Sequence, residues 1–158
     1  MSRTCLAFLR FCLSAWVGIA VFFVLVVINL RQSKVFSDTA LLEHPRILFP
    51  LYYSFEFALL GTALLCALGC IAHPNFSRGR KATLLGLLTA AVALAVWDFA
   101  RIYQPLIAMM ATKPLPVEFD SLHRLSRWLN GGILAFSFIA AWLSLGADKP
   151  QPEASRPD

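Results

Sequence analysis

Polar positions along this chain are too sparse to draw amphipathic periods; what they divide is a series of long apolar runs. Residues 11–30 form an uncharged run of 20 between Arg10 and Arg31, and residues 128–147 form another of 20. Residues 47–72 make a run of 26 interrupted by Glu56 alone. Residues 82–97 give 16 uncharged positions, and the segment continues through Asp98 and Arg101 to Pro105. A helix rises about 1.5 Å per residue, so about 20 apolar residues cross the roughly 30 Å of hydrocarbon in a bilayer. The pattern predicts four transmembrane helices, over about 9–31, 47–72, 81–104 and 120–147. The fold class is then all-α, an integral membrane four-helix bundle filling residues 1–147.

Between the spans the chain leaves no room for a soluble domain. The longest connection, 104–121, contains Pro105, Pro114 and Pro116 and predicts a loop with a short interfacial helix near 106–111. The tail 148–158 carries three prolines among mixed charges and is expected to be disordered. The first apolar run is longer than the roughly 7–15 residues of a signal-peptide core, and no small-x-small cleavage site follows it, so an uncleaved helix is expected. Small residues recur four apart at Ala63/Ala67, Ala82/Gly86/Ala90, Ala91/Ala95 and Gly131/Ala135, as close helix packing in lipid requires. No internal repeat is visible, so a duplicated transporter fold gains no support.

Composition strengthens the membrane assignment. The chain is 58% hydrophobic and 15% charged, against about half and about a quarter in soluble domains, and its mean hydropathy is +0.67. A disordered chain, a collagenous chain and an ordinary soluble enzyme are excluded. Four cysteines in 158 residues are too few for a disulfide scaffold. The net charge of +5 reads as basic residues flanking spans, so the expected partner is the lipid bilayer and not nucleic acid.

Charge decides the topology only weakly. With four spans, Lys and Arg divide seven to seven between the two sides. The acid-free cluster Arg78, Arg80 and Lys81, with Arg3 and Arg10 ahead of the first span, favours both termini in the cytoplasm. Asn75-Phe76-Ser77 formally matches a glycosylation acceptor, in the loop this topology keeps cytoplasmic.

The few polar groups inside the spans fall towards one end of the bundle, opposite the termini. Tyr52, Tyr53 and Glu56 lie in the opening turns of the second span, and Asp98, Arg101, Tyr103 and Gln104 in the closing turns of the third. His123, Ser126 and Asn130, spaced i, i+3, i+7, share one face of the fourth. Asn29 closes the first. Ionisable groups at membrane depth cost on the order of 2.5–3.5 kcal/mol each, so they turn inward and pair. Asp98 and Arg101, at i, i+3, are expected to pair directly. Glu56, about 14 Å past Ile47 by the helix rise, is expected to meet Arg101, Arg124 or His123. Tyr53, Glu56, Asp98, Arg101, His123, Ser126 and Asn130 thus form a polar cluster with two readings: a lock joining four helices, or a pocket for a small ligand.

Other chemistry has thinner support. Cys66/Cys70 and Cys5/Cys12 each share a helix face, which suits a soft metal, yet buried cysteine is also an ordinary small apolar residue. The histidines, His44, His73 and His123, are split between the two sides, and a bis-His haem needs two at one depth. Phosphate-binding loops, zincin motifs and nucleophile elbows are absent from the sequence.

At these residues the chain resembles a known family. Phe119-Asp-Ser-Leu-His123-Arg-Leu-Ser126-Arg-Trp-Leu-Asn130 resembles the fourth-helix motif of small membrane proteins related to transmembrane protein 205, the domain of unknown function 4149. Ile47-Leu-Phe-Pro50-Leu-Tyr-Tyr53 is similar to that family's Phe-Pro-x-Tyr in the second helix. Arg101-Ile-Tyr-Gln-Pro105 is similar to its Arg-x-x-x-Pro, and Ser14-Ala-Trp16-Val-Gly18 to its first-helix Gly/Ser-Ala-Trp. The resemblance spans roughly residues 9–146 and implies a four-helix integral membrane fold without an established biochemical activity. Some members carry a histidine early in the first helix; here Arg10, Phe11 and Cys12 stand there, which argues against a His-ligated metal or haem.

The expectation is a non-enzymatic, multi-pass membrane protein with no catalytic residue, no cofactor and no metal of its own. Its polar cluster is structural or binds a small ligand. The alternatives are a small transporter or metal-handling protein, working through the cluster or through His123 with Cys66/Cys70, and a haem-binding protein. Four helices enclose little lumen, so transport would call for a homo-oligomer.

Overall fold

In the computed structural model, residues 2–33, 35, 37–70, 77–112 and 114–146 are described. The expected tail 148–158 and His73 lie outside them. Helix α1 runs Ser2–Gln32 and α2 Asp38–Gly69. Helix α3, Arg78–Asp98, passes through a π-helical turn, Phe99–Tyr103, into α4, Gln104–Met109. Helix α5 spans Phe119–Leu145. Four stretches, Arg3–Gln32, Glu43–Gly69, Arg78–Met109 and Phe119–Leu145, are long and apolar enough to cross a membrane.

All four spanning helices begin earlier than their apolar runs. The α2 helix reaches back to Asp38 through Pro45 and Pro50, although each proline removes a helical N–H. Ser54 Oγ donates to the Pro50 carbonyl at 2.7 Å, re-using a backbone acceptor in that turn. Pro105 does not stop the third span either. It sits at the first turn of α4, where its missing N–H is tolerated and the helix continues to Met109.

The helices close into a ring in the order α1, α2, α3, α5, with α1 packed most extensively on α2 and α3 on α5. The buried positions make this packing intelligible. On α1 they include Leu6, Leu9, Leu13, Trp16 and Ala20; on α2 and the residue that follows it, Tyr53, Glu56, Leu60, Ala63, Ala67 and Cys70. On α3 they are Leu84, Leu88, Ala91, Ala95 and Asp98. All three series step by alternating threes and fours, the seam of knobs-into-holes packing. Glu56 and Asp98 therefore occupy seam positions, each fully enclosed by the bundle.

Small residues serve the packing at two places. Ala63, Ala67, Ala91 and Ala95 are buried, whereas Ala82, Gly86, Gly131 and Ala135 face outward. Much of the outer surface is apolar, with Phe11, Phe22, Leu65, Trp128 and Trp142 exposed. That is the inverse of a water-soluble surface and the expected surface against lipid.

The end of the bundle near the termini is held by cations. Arg10 donates from Nη2 to the Ser144 carbonyl at 2.9 Å and from Nε at 3.2 Å. The Arg80 guanidinium lies against Gly146, so close that a β-carbon there would displace it. Both place positive charge at the C-terminal end of α5, where four carbonyls lack helical partners and the helix dipole is negative.

Candidate functional site

The site begins with the seam spacing of α2. Tyr53 stands three positions before Glu56 and Tyr52 four, so all three share a face turned to the core. Opposite them α3 presents Asp98 at the last seam position before the π-turn, and α5 presents Ser126 and Asn130. Glu56 and Asp98 are both 0% exposed.

Asp98 is held by two donors that meet the same atom. Tyr53 Oη donates to Asp98 Oδ2 at 2.6 Å, and Asn130 Nδ2 donates to it at 2.7 Å. Both lengths are in the range of charge-assisted hydrogen bonds. Asn130 Nδ2 also reaches the Ser126 carbonyl at 2.9 Å and Ser126 Oγ at 3.4 Å. Tyr52 Oη donates to Asn130 Oδ1 at 2.9 Å, so one amide ties α2, α3 and α5 together. Trp16 of α1 packs on the Tyr52 ring at 5.3 Å between centroids, which brings the fourth helix to the site.

Against this ordered half stands an unsatisfied one. Asp98 Oδ1 has no hydrogen-bond partner, nor does either carboxylate oxygen of Glu56. The buried indole N–H of Trp16 is likewise unpartnered. Glu56 lies within electrostatic range of Asp98, Tyr52 and Tyr53. Buried polar atoms in folded proteins are nearly always paired. Three bare acceptor atoms on two carboxyl groups, in one buried core, leave a demand for positive charge or for donors.

Beside the carboxyl groups an open groove of about 290 Å³ runs between α2 and the π-turn. Pro50, Tyr53, Ser54, Phe57, Phe99, Tyr103 and Gln104 line it. Its rings are mutually packed: Tyr53 lies 4.6 Å from Tyr103 and 5.1 Å from Phe99, and Phe57 lies 5.5 Å from Phe99, between centroids. Tyr53 belongs to both places, since its ring lines the groove while its hydroxyl holds Asp98. The π-turn supplies the other wall, a geometry that recurs at functional sites.

The expected cluster is thus gathered in part. Tyr53, Glu56, Asp98, Ser126 and Asn130 come together. Arg101 does not: it is exposed while Asp98 is buried, so the expected i, i+3 pair does not form. The reason is local, because the turn between them is π-helical and its wider winding carries Arg101 off the Asp98 face. Arg124 is also exposed, and His123 is half-buried, stacked on Phe119 at 6.0 Å rather than on Glu56. Glu56 therefore has none of the three partners expected for it. Asn29 donates to the Leu25 carbonyl at 2.8 Å on the exterior.

Two participants lay outside the expected cluster. Tyr52 enters through its bond to Asn130, and its signal was present as the i−4 neighbour of Glu56. Trp16 enters through burial on the α1 seam. At the other end of the bundle the four cysteines form no disulfide, and Cys5 Sγ approaches Gly69 where a side chain's β-carbon would stand, 3.0 Å away. Among the described residues no group of three His, Cys, Asp or Glu is placed to hold a metal ion.

Compared with known proteins, the chain matches no family model, no curated protein and no solved structure.

Proposed function

We propose that this chain is a multi-pass integral membrane protein whose core cluster of Tyr52, Tyr53, Glu56, Asp98 and Asn130 binds a small polar or cationic ligand. One observation carries the reading: Glu56 is wholly enclosed with both carboxylate oxygens bare. A structural lock satisfies its members, because a half-satisfied buried network is less stable than an apolar core. The Tyr53, Asn130 and Ser126 half of the cluster has that character; Glu56 and Asp98 Oδ1 do not.

Stability separates the two readings. Glu56→Leu and Glu56→Gln are compared with the parent protein by unfolding in detergent micelles without added ligand. A ligand-binding Glu56 is a local cost to the empty protein, so Glu56→Leu is expected to raise stability by on the order of 1 kcal/mol or more. A loss of about 2 kcal/mol in both variants would return Glu56 to a structural role.

The reading assigns no catalysis, and it is supported by the use of both tyrosine hydroxyls as fixed donors. The motif residues Pro50, Tyr53, Pro105, Ser126 and Asn130 at or near the site support membership in the family related to transmembrane protein 205. Exposed Arg3 and Arg78 support termini on the cytoplasmic side. A second reading, transport, is favoured by the outward-facing small residues Ala82/Gly86 and Gly131/Ala135, which suit a homo-oligomer.

A further inference from the structure

At the terminal end of the bundle the cysteines of two helices are drawn together. Cys5 and Cys12 stand on one face of α1, seven positions apart. Cys66 lies in the last turn of α2 and Cys70 just past it. Gly69 sets the register between the helices. It has no side chain, and Cys5 fills the place: a β-carbon on Gly69 would stand 3.0 Å from Cys5 Sγ and 3.6 Å from Cys5 Cβ. A disulfide spans about 3.5–4.5 Å between β-carbons, so the two helices approach here as closely as a bridge requires. Cys70 is the next residue, and it lies within electrostatic range of Cys5 and of Arg10. We propose that Cys5 and Cys70 are a redox modification site, a thiol pair that hydrogen peroxide converts to a reversible disulfide stapling the start of α1 to the end of α2.

The surroundings assign the two sulfurs different parts. Cys5 is partly exposed and Cys70 is buried, so peroxide meets Cys5 first. The Cys5 thiolate attacks one peroxide oxygen, the O–O bond breaks, and the displaced hydroxide takes up the thiol's proton as water, leaving Cys5 as a sulfenic acid. The Cys70 sulfur then attacks the Cys5 sulfur. The S–S bond forms, the S–O bond breaks, and hydroxide leaves with the Cys70 proton as a second water. The two thiols together give up two electrons and two protons, and the peroxide is reduced to water. Arg10 places positive charge near the sulfur that carries negative charge as it attacks. Cys66, a turn back along α2, is shared between Cys5 and Cys12, whereas Cys70 adjoins the Gly69 contact itself. Among the described residues no three of these side chains are placed to hold a metal ion, which leaves pairwise chemistry. The topology proposed above puts the pair on the cytoplasmic side, where disulfides are transient and redox-sensing.

The test treats the reduced full chain in detergent micelles with hydrogen peroxide, alkylates the remaining thiols and sequences the linked peptides by mass spectrometry. The expected product is a bridge between Cys5 and Cys70 within one chain, in roughly tenfold excess over any other pairing and reversed by dithiothreitol. Cys12 and Cys66 should be recovered alkylated. Cys70→Ser should leave the Cys5 sulfenic acid to be captured by dimedone, and Cys5→Ser should yield no bridge to Cys70. Gly69→Cys combined with Cys70→Ser puts a sulfur at the closest approach to Cys5, and should pair with it at least as fast as Cys70 does in the parent. A principal bridge that contains Cys66 would overturn the proposal. So would a bridge only between two chains, oxidation of Cys5 in the parent without a bridge, or thiols that all stay reduced. The parent's own linked peptides decide among these outcomes, so the test holds even where a variant fails to fold.

Discussion

Tyr53 joins α2 to Asp98 by one short hydrogen bond, and removing that hydroxyl measures what the bond does. Tyr53→Phe keeps the ring, and with it the contacts to Phe99 and Tyr103, while deleting the 2.6 Å donor. Asp98 Oδ2 then keeps Asn130 Nδ2 as its one donor. Hydrogen bonds to a charged acceptor contribute about 1.5–3 kcal/mol, whereas side-chain bonds between membrane helices average nearer 0.6 kcal/mol. The bond's length and the full burial of its acceptor place it with the former group, so Tyr53→Phe should cost about 1.5–2 kcal/mol. Asp98→Asn replaces the acceptor, and a double-mutant cycle of the two substitutions isolates their coupling. Equilibrium unfolding in mixed micelles, followed by circular dichroism, supplies the four free energies. A coupling above about 1 kcal/mol is expected. Costs that simply add, or a Tyr53→Phe variant as stable as its parent, would refute the view that Asp98 is an organising charge of the core.

Further outcomes follow from the same geometry. Arg101→Ala and Arg124→Ala, both at exposed positions, should leave stability within about 0.5 kcal/mol and leave ligand binding unchanged; a large loss on either would put that arginine back in the cluster. Arg10→Ala removes two bonds to the Ser144 carbonyl and should cost about 1 kcal/mol, with faster amide exchange confined to the last turn of α5. Ala63→Leu, at a 0% exposed seam position, should cost about 1–3 kcal/mol through overpacking, whereas Ala135→Leu on the outer face should cost nothing measurable in the monomer.

How much of this was legible in the chain depends on which contrast carried the information. The contrast between apolar runs and charged breaks is large, so the four spans stand out. The contrast between core and lipid is faint, because both sides of each helix are apolar; Leu13 in the seam and Phe11 on the exterior look alike in sequence. Where a residue breaks that uniformity, as Glu56, Asp98 and Asn130 do, the site shows through. Arg101 misleads because i, i+3 spacing predicts a neighbour only in an α-helix, and nothing in Phe-Ala-Arg-Ile-Tyr marks a π-turn. Helix starts mislead for a related reason. The second span is expected from Ile47, where the apolar run begins, yet the helix reaches back through Pro45 to Asp38. Arg10 and Arg80 were counted as topology signals, and they are in addition the residues that meet the end of α5.

The π-turn also bears on how this chain tolerates changes of length. Deleting a residue from a plain α-helix turns everything beyond it by about 100°, which in a packed bundle swings the buried face away from the core. The turn at Phe99–Tyr103 already contains one residue more than an α-helical path needs. Losing one there would let the winding tighten to the ordinary pitch, and Leu106 would remain on the buried side. The third span therefore has a built-in phase reserve, placed one residue past Asp98, so the carboxylate keeps its orientation while the wall of the groove changes length.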